Sequence, residues 1–107
     1  MSLSTKRGIK MLTSKERSNL RSLASNIDSV TQVGKLGVND SLIDSLDKAI
    51  EKRELIKVTV LLNSGLDVKE TGFIIAEKLG AEFVCHTGRK LVFYRRSLSE
   101  KVNHIEF

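Results

Sequence analysis

The stretch Leu55-Ile-Lys-Val-Thr-Val-Leu-Leu62 decides how this chain folds, because it is the strongest strand signal in the sequence. Successive side chains of a strand point to opposite faces of a sheet. One face of this stretch is wholly apolar and must be covered: Ile56, Val58, Val60 and Leu62. The other face mixes polar with apolar side chains: Leu55, Lys57, Thr59 and Leu61. We therefore predict a central strand with one buried face and one partly covered face.

Helices are predicted on both sides of this strand. Thr13 and Glu16 match a capping box, in which the Glu side chain reaches back to the N-cap, and an apolar stripe follows over about residues 14–25. Asn39 is a good N-cap for a second helix that ends near Glu54. The central strand is therefore preceded by two helices.

A third helix is predicted to begin after Asp67 and to end at Gly80, a natural C-terminal stop. Three further segments have strand character: residues 30–33, 81–86 and 90–95. A turn at Thr87-Gly88-Arg89 joins the last two into a hairpin. The predicted class is α/β, with the order α-β-α-β-α-β-β in a single small domain. Its four-stranded mixed sheet has parallel strands early, an antiparallel hairpin last, and packed helices.

Length and composition limit the functions that this chain can have. Its 107 residues suffice for one core, and no apolar run is long enough to span a membrane. We expect a basic leader over residues 1–12, a domain over residues 13–96 and a polar, frayed tail over residues 97–107. One cysteine and two histidines supply neither a disulfide nor a structural zinc site. The first ten residues lack a signal peptide, so we expect a cytoplasmic protein.

The net charge of +5 is unevenly distributed. Residues 1–25 carry +5, residues 26–80 carry −2 and residues 81–107 carry +2. Positive charge at both ends favours a polyanionic partner such as nucleic acid. The alternative is that a modest excess of positive charge only keeps a small protein in solution.

Gly34-Lys35-Leu36-Gly37 joins a predicted strand to the start of a helix. Two glycines let the backbone turn tightly and approach a ligand closely, and the helix start offers unpaired N–H groups. Lys35 adds a cation suited to phosphate. Such a loop can clamp a sugar-phosphate chain, as the GxxG loop of KH domains does. Alternatively, the glycines serve only the local turn.

Four blocks of sequence, in order, resemble the CRM (chloroplast RNA splicing and ribosome maturation) domain. They are Gln32-Val-Gly-Lys-Leu-Gly-Val-Asn39, Ala49-Ile-Glu-Lys-Arg-Glu-Leu-Ile-Lys-Val58, Leu79-Gly-Ala81 and Gly88-Arg-Lys-Leu-Val-Phe-Tyr-Arg95. The resemblance covers roughly residues 11–96 and is greatest to the bacterial YhbY-like members. It implies an RNA-binding fold similar to the C-terminal domain of translation initiation factor three. It also implies association with precursors of the large ribosomal subunit, and it assigns the family's GxxG loop to Gly34, Lys35, Leu36 and Gly37.

Six basic side chains outside the loop are further candidate RNA contacts: Lys57, Arg89, Lys90, Arg95, Arg17 and Arg21. On the mixed face of the central strand, Lys57 either meets RNA or extends past Leu55 into solvent. The hairpin residues either bind a nucleic-acid backbone or protect a sheet edge from aggregation. The two arginines of the first helix have a similar alternative, a solvated face.

Aromatic residues are scarce, which makes base recognition a small part of the predicted function. Three phenylalanines fall at core-like positions: Phe73, Phe83 and Phe93. Tyr94 alternates with Phe93 along the strand, so its side chain is expected to face out. Backbone and shape recognition should therefore dominate. Cys85 and His86 are neighbours in a strand and point to opposite faces, so they do not form a catalytic pair.

We therefore predict a non-catalytic RNA-binding protein that acts in ribosome assembly. Its expected partner is ribosomal RNA in precursors of the large subunit, bound by a monomer. No cofactor, metal, membrane or small-molecule substrate is predicted. The alternative is a protein-interaction module that docks an acidic partner through its basic ends.

Overall fold

The computed structural model describes residues 12–98 and 104–105. Its helices are α1 (Ser14–Ala24), α2 (Asp40–Arg53) and α3 (Val68–Leu79), and its strands are β1 (Ser29–Val33), β2 (Leu55–Val60), β3 (Glu82–Thr87) and β4 (Lys90–Tyr94). A short 3-10 helix, Leu62–Ser64, follows β2. The predicted order of elements is confirmed, and most of the predicted leader, residues 1–11, lies outside the described residues.

The helix starts are fixed by the predicted caps. Thr13 Oγ1 accepts a hydrogen bond from the Glu16 amide at 3.1 Å, and Glu16 Oε1 accepts one from the Thr13 amide at 3.0 Å, which completes the capping box. The side chains of Asn39 and Asp67 each accept an amide hydrogen three residues on, at 2.8 Å. At the end of α3, Gly80 has φ +65°, a left-handed conformation that favours glycine.

The four strands form one mixed sheet in the order β1-β2-β4-β3. β1 pairs with β2 in parallel through the α2 crossover, whereas β4 is antiparallel to both β2 and β3. Thr87 lies opposite Lys90, so Gly88 and Arg89 form a two-residue hairpin loop, and Gly88 has φ +60°. The prediction of early parallel strands and a late hairpin is confirmed.

Two apolar layers flank the sheet. The layer under α2 and α3 contains the apolar face of β2, where Ile56, Val58 and Val60 are fully buried. The second layer lies under α1, whose Leu20 and Ala24 pack with side chains of the sheet: Leu55, Val84, Val92 and Tyr94. Since α1 covers only part of this face, Lys57 and Thr59 of β2 remain half-exposed.

The solvent exposure of three large side chains differs from what the sequence predicts. Tyr94 is buried, because α1 packs on the face of β4 that was expected to be open. Phe73 is 57% exposed, because it lies at the outer margin of α3. Leu62 is exposed, because β2 ends at Val60 and the alternation of the strand ends with it.

The described part of the C-terminal segment is bonded to the domain, contrary to the prediction of a frayed tail. Glu54 is fully buried, and its carboxylate accepts hydrogen bonds from the amides of Ser97 and Ile105, each at 2.7 Å. His104 Nδ1 lies against the same carboxylate. Two backbone amides and one imidazole ring of the tail therefore meet a buried acceptor. No helix within residues 12–98 and 104–105 has the length and apolar character needed to cross a bilayer.

Candidate nucleic-acid interface

The glycine loop, residues 34–37, is a closed turn at the end of β1. The Gly37 amide donates to the Gly34 carbonyl at 2.9 Å. Gly37 has φ +69°, which a residue with a side chain adopts only at a cost. Lys35 is exposed, as is Leu36 at 87%. The turn therefore presents its lysine and its backbone to solvent.

A cleft of about 500 Å³ lies between this loop, β1 and the first turn of α2. Beyond the loop, its walls are mostly amide and hydroxyl side chains: Thr31, Gln32, Asn39, Ser41, Leu42 and Ser45. None of the described residues that line the cleft is acidic. The start of a helix adds a positive dipole end, so the cleft suits an anionic, hydrogen-bonding chain.

The hairpin turn lies at the same end of the sheet as the glycine loop. Arg89 donates to the carbonyls of Val60 and Leu61, each at 2.8 Å. The Leu61 amide in turn donates to Val33 at 2.9 Å, immediately before Gly34. Leu61 therefore connects the two turns. The hydrogen bonds of the Arg89 side chain hold the hairpin turn against the end of β2.

A second concave site, the basic pocket, lies on the face of the sheet beside α1. Its volume is about 360 Å³, and Arg21, Lys57 and Lys90 converge on it from α1, β2 and β4. The described residues that complete its lining are uncharged: Ala24, Ser25, Cys85, Thr87 and Val92. Among the described ion pairs, none involves these three cations. Three positive charges around one concavity produce a local potential that attracts an anion.

The other arginine of α1 has a different environment from Arg21. Arg17 donates to the carbonyls of Phe83 and Val84 on β3, at 2.7 and 2.9 Å, and its second nitrogen lies 3.6 Å from Glu82. Burial raises the pKa of Glu82, and Arg17 opposes that increase. Arg17 therefore ties α1 to the outer strand, and only part of its guanidinium is available to a ligand.

Arg95 lies apart from the other candidates and is 3% exposed. Its guanidinium donates to Asp47 at 2.7 Å, to Glu51 at 3.1 Å and to the Leu79 carbonyl at 2.8 Å. These bonds join β4 to α2 and to the end of α3. Because the side chain is buried and both terminal nitrogens of its guanidinium are engaged inside the fold, we do not propose Arg95 as an RNA contact.

Sequence reasoning missed the neutral members of the basic pocket. Ser25 follows α1, and Thr87 pairs with Lys90 across the hairpin, so both add hydroxyl groups beside the cations. The cross-strand register could have identified Thr87 once the hairpin turn was assigned. Nothing in the local sequence of Ser25 indicates this contact. Within the described part of the chain, no cluster of three His, Cys, Asp or Glu side chains could hold a metal ion.

Comparison with known proteins adds an independent line of evidence. A family model described as the CRS1/YhbY (CRM) domain matches residues 12–95. The probable RNA-binding protein YqeI of Bacillus subtilis (strain 168) is 38% identical over 91 residues, which is 85% of this chain and 95% of that protein. The solution structure of a hypothetical Staphylococcus aureus protein, suggested to bind RNA, is 43% identical with a TM-score of 0.73. That match covers 89% of this chain and 100% of the other.

Proposed function

Because the chain belongs to the CRS1/YhbY (CRM) domain family, we propose that it is an RNA-binding protein that acts in assembly of the large ribosomal subunit. Its partner in this proposal is ribosomal RNA in precursors of that subunit, held by a monomer. Both similar proteins described above carry RNA binding in their descriptions. The single observation that carries the proposal within this chain is the basic pocket.

Three cations around one concavity attract a partner of opposite charge. Lys57 lies in the second strand of the sheet and is only half-exposed, so the walls of the pocket restrict where its ammonium can lie. No carboxylate among the described residues lines the pocket. A phosphodiester supplies one negative charge and two acceptor oxygens, which matches lysine, arginine and hydroxyl donors.

The glycine loop is the second contact surface in this proposal. Lys35 and the exposed backbone of the loop would hold an adjoining stretch of the sugar-phosphate chain beside the start of α2. At the same end of the sheet, Lys90 lies one residue beyond the hairpin turn that Leu61 connects to the loop. The strand of RNA would therefore extend from the loop across this end of the sheet into the basic pocket.

Binding of this kind does not require catalysis, and we propose none. Contacts to phosphate position RNA without reading its sequence, so shape and single-stranded character would select the site. The free thiol of Cys85 suits the reducing cytoplasm in which we place the protein.

Filter binding to fragments of ribosomal RNA at increasing salt tests the proposal. The logarithm of the association constant should fall with the logarithm of salt, by about 0.7 for each phosphate neutralised on a single strand. Replacing Lys57, Lys90 or Arg21 by alanine should weaken binding and reduce the magnitude of that slope by about 0.7 each. Absence of binding at low salt would refute RNA binding, and binding unaffected by salt would refute the phosphate contacts.

Lys48→Ala is the matched control. Lys48 lies on α2, its side chain is 76% exposed, and it pairs with Asp44 at 3.3 Å. The substitution removes the same charge from the protein but from a place outside the proposed interface. Equal losses for Lys48→Ala and Lys57→Ala would mean that net charge alone, and not the basic pocket, governs binding.

The role in assembly needs a separate measurement. The tagged protein should sediment with large-subunit precursors in a gradient of cell extract, and ribonuclease treatment should release it. Retention of partners after complete digestion would instead favour docking to an acidic protein.

A further inference from the structure

An aromatic cluster without an assigned role lies at the outer edge of the sheet. We name Phe73, Phe83 and His86 the aromatic platform. The rings of Phe73 and Phe83 meet edge to face, with centroids 5.1 Å apart and planes at 90°. The rings of Phe83 and His86 are nearly parallel, at 28°, with centroids 6.3 Å apart. Phe73 remains 57% exposed and His86 is also exposed, so the platform faces solvent.

The platform is held rigidly from below. Phe83 packs on the buried ring of Phe93, with centroids 5.6 Å apart. It also lies directly against the backbone of α3 at Gly72, where an added Cβ would stand 2.4 Å from Phe83 Cζ. Only glycine at this position lets the ring lie so close to the helix. Phe73 is therefore supported by a fixed ring and does not rest on a mobile surface.

The platform adjoins the basic pocket. A concavity of about 440 Å³ contains Phe73, Phe83 and His86 in its walls, together with Lys69 and Cys85. Cys85 also lines the basic pocket, so the two concavities meet at β3. The platform lies on the α3 side of this outer strand and the basic pocket on its α1 side, so an RNA chain would reach both by passing around the edge of β3. Lys69 lies one helical turn before Phe73 on α3 and adds a cation on the same face. The acidic side chain in the wall, Glu82, lies 3.6 Å from Arg17.

These contacts favour a nucleic-acid base over a protein strand as the occupant. β3 is an outer strand, to which a partner's strand could in principle be added. Arg17, however, already binds the carbonyls of Phe83 and Val84. A partner strand would have to displace it there, whereas a base stacked on Phe73 needs no backbone acceptor. Every base has a π-face that can stack on an exposed ring beside a cation.

We infer that Phe73 is a stacking site for an unpaired RNA base whose neighbouring phosphates lie in the basic pocket. The inference rests on the proposed function and deepens it: the ligand is single-stranded RNA. The protein would hold the phosphate chain at the pocket and one base at the platform. Sequence preference would remain weak, because stacking accepts any base.

Binding of a fluorescently labelled oligoadenosine, followed by anisotropy over a salt series, tests this site. Phe73→Ala should lower affinity about 5-fold or more, and it should leave the salt slope unchanged because no phosphate contact is lost. Ile74→Ala is the matched control: Ile74 is 39% exposed on the same helix, but it does not line the concavity. It should bind like the parent protein.

Phe73→Trp supplies a direct optical test, because the chain contains no tryptophan. The variant should keep its affinity, and its emission should be quenched when oligoadenosine binds. Polyphosphate, which has charge but no bases, should bind without quenching. An affinity of Phe73→Ala equal to that of the parent, or an emission unchanged by bound RNA, would overturn the stacking site alone. If the parent protein bound no RNA at low salt, both this site and the proposed function would fall.

Discussion

Glu54 is a buried carboxylate that holds the C-terminal segment against the domain. It is 0% exposed and has φ +65°, at the junction between α2 and β2. Burial alone would raise its pKa, but hydrogen bonds from His104, Ser97 and Ile105 outweigh that effect and hold the pKa below its ordinary value of 4.5. A buried carboxylate is tolerated here because the tail supplies its donors.

We expect Glu54→Gln to lower the free energy of unfolding by about 1–3 kcal/mol at neutral pH, since a neutral amide accepts these bonds less strongly. A carboxyl group with a lowered folded-state pKa contributes stability above its unfolded pKa and loses it as the pH falls through the folded pKa. The difference between variant and parent should therefore shrink as the pH falls below the ordinary value of 4.5. Urea unfolding at neutral pH and over an acid series checks this.

Glu77→Gln is the control for Glu54→Gln, because Glu77 is exposed on α3. It should leave stability and its acid dependence nearly unchanged. A Glu54→Gln protein with the stability of the parent at neutral pH would show that the contacts of this carboxylate contribute nothing net.

Gly72 offers a second prediction about a single position. In an exposed helix, alanine is more favourable than glycine by about 1 kcal/mol. Here the added methyl group would collide with the Phe83 ring at 2.4 Å, so we expect Gly72→Ala to destabilise the domain by about 1–3 kcal/mol. Thermal unfolding provides the measurement. Combining Gly72→Ala with Phe83→Leu should cost less than the sum of the two single changes, and full additivity would contradict the collision.

Substitutions at the two glycines of the loop distinguish the effect of backbone strain on stability from the effect of an added methyl group on ligand binding. Gly37 has positive φ, and a Cβ added there would meet no atom within 4 Å, so Gly37→Ala should cost about 1–2 kcal/mol through strain alone. A Cβ at Gly34 would meet only Leu61 Cδ1, at an ordinary 3.5 Å. Gly34→Ala should therefore keep the stability of the parent within about 0.5 kcal/mol.

RNA affinity then tells whether a ligand approaches this loop. If the phosphate chain lies close to the backbone, the methyl group of Gly34→Ala should weaken binding in the filter assay although the protein melts normally. Unchanged affinity together with unchanged melting would mean that the glycines serve only the local turn.

Local signals predicted the elements well, because each depends on residues near in sequence. The capping box at Thr13, the N-caps at Asn39 and Asp67, and the alternation of β2 all involve contacts within a few positions. The position of α1 was not predictable in this way. Its place on the second face of the sheet depends on carbonyls of β3, 66 and 67 residues away, that Arg17 binds.

In the candidate site, too, contacts between residues near in sequence were predictable and contacts between distant residues were not. The glycine loop is contiguous in sequence, so its residues were identified from the motif alone. The basic pocket joins residues from α1, β2 and β4, and it contains three of the six other basic candidates. Arg17, Arg89 and Arg95 instead bond to backbone carbonyls or, for Arg95, also to carboxylates of α2. The sequence does not show which basic side chains will find hydrogen-bond acceptors within the folded domain.

Across the domain, the two helical layers leave one part of the sheet open. α2 and α3 cover one face, whereas α1 covers only part of the other, and the uncovered part contains Lys57 and Lys90. The excess of positive charge in the sequence is thus accompanied by a concave surface without described carboxylates. This arrangement is the physical basis for expecting a phosphate chain there.

Mapping of amide chemical shifts tests this central claim most directly. Isotope-labelled protein would be titrated with single-stranded ribosomal RNA at low salt. The account predicts the largest shifts at residues 34–37 and at Lys57, Thr87 and Lys90, with little change around Lys48 on α2. Shifts confined to α2, with none at the glycine loop or the basic pocket, would contradict it.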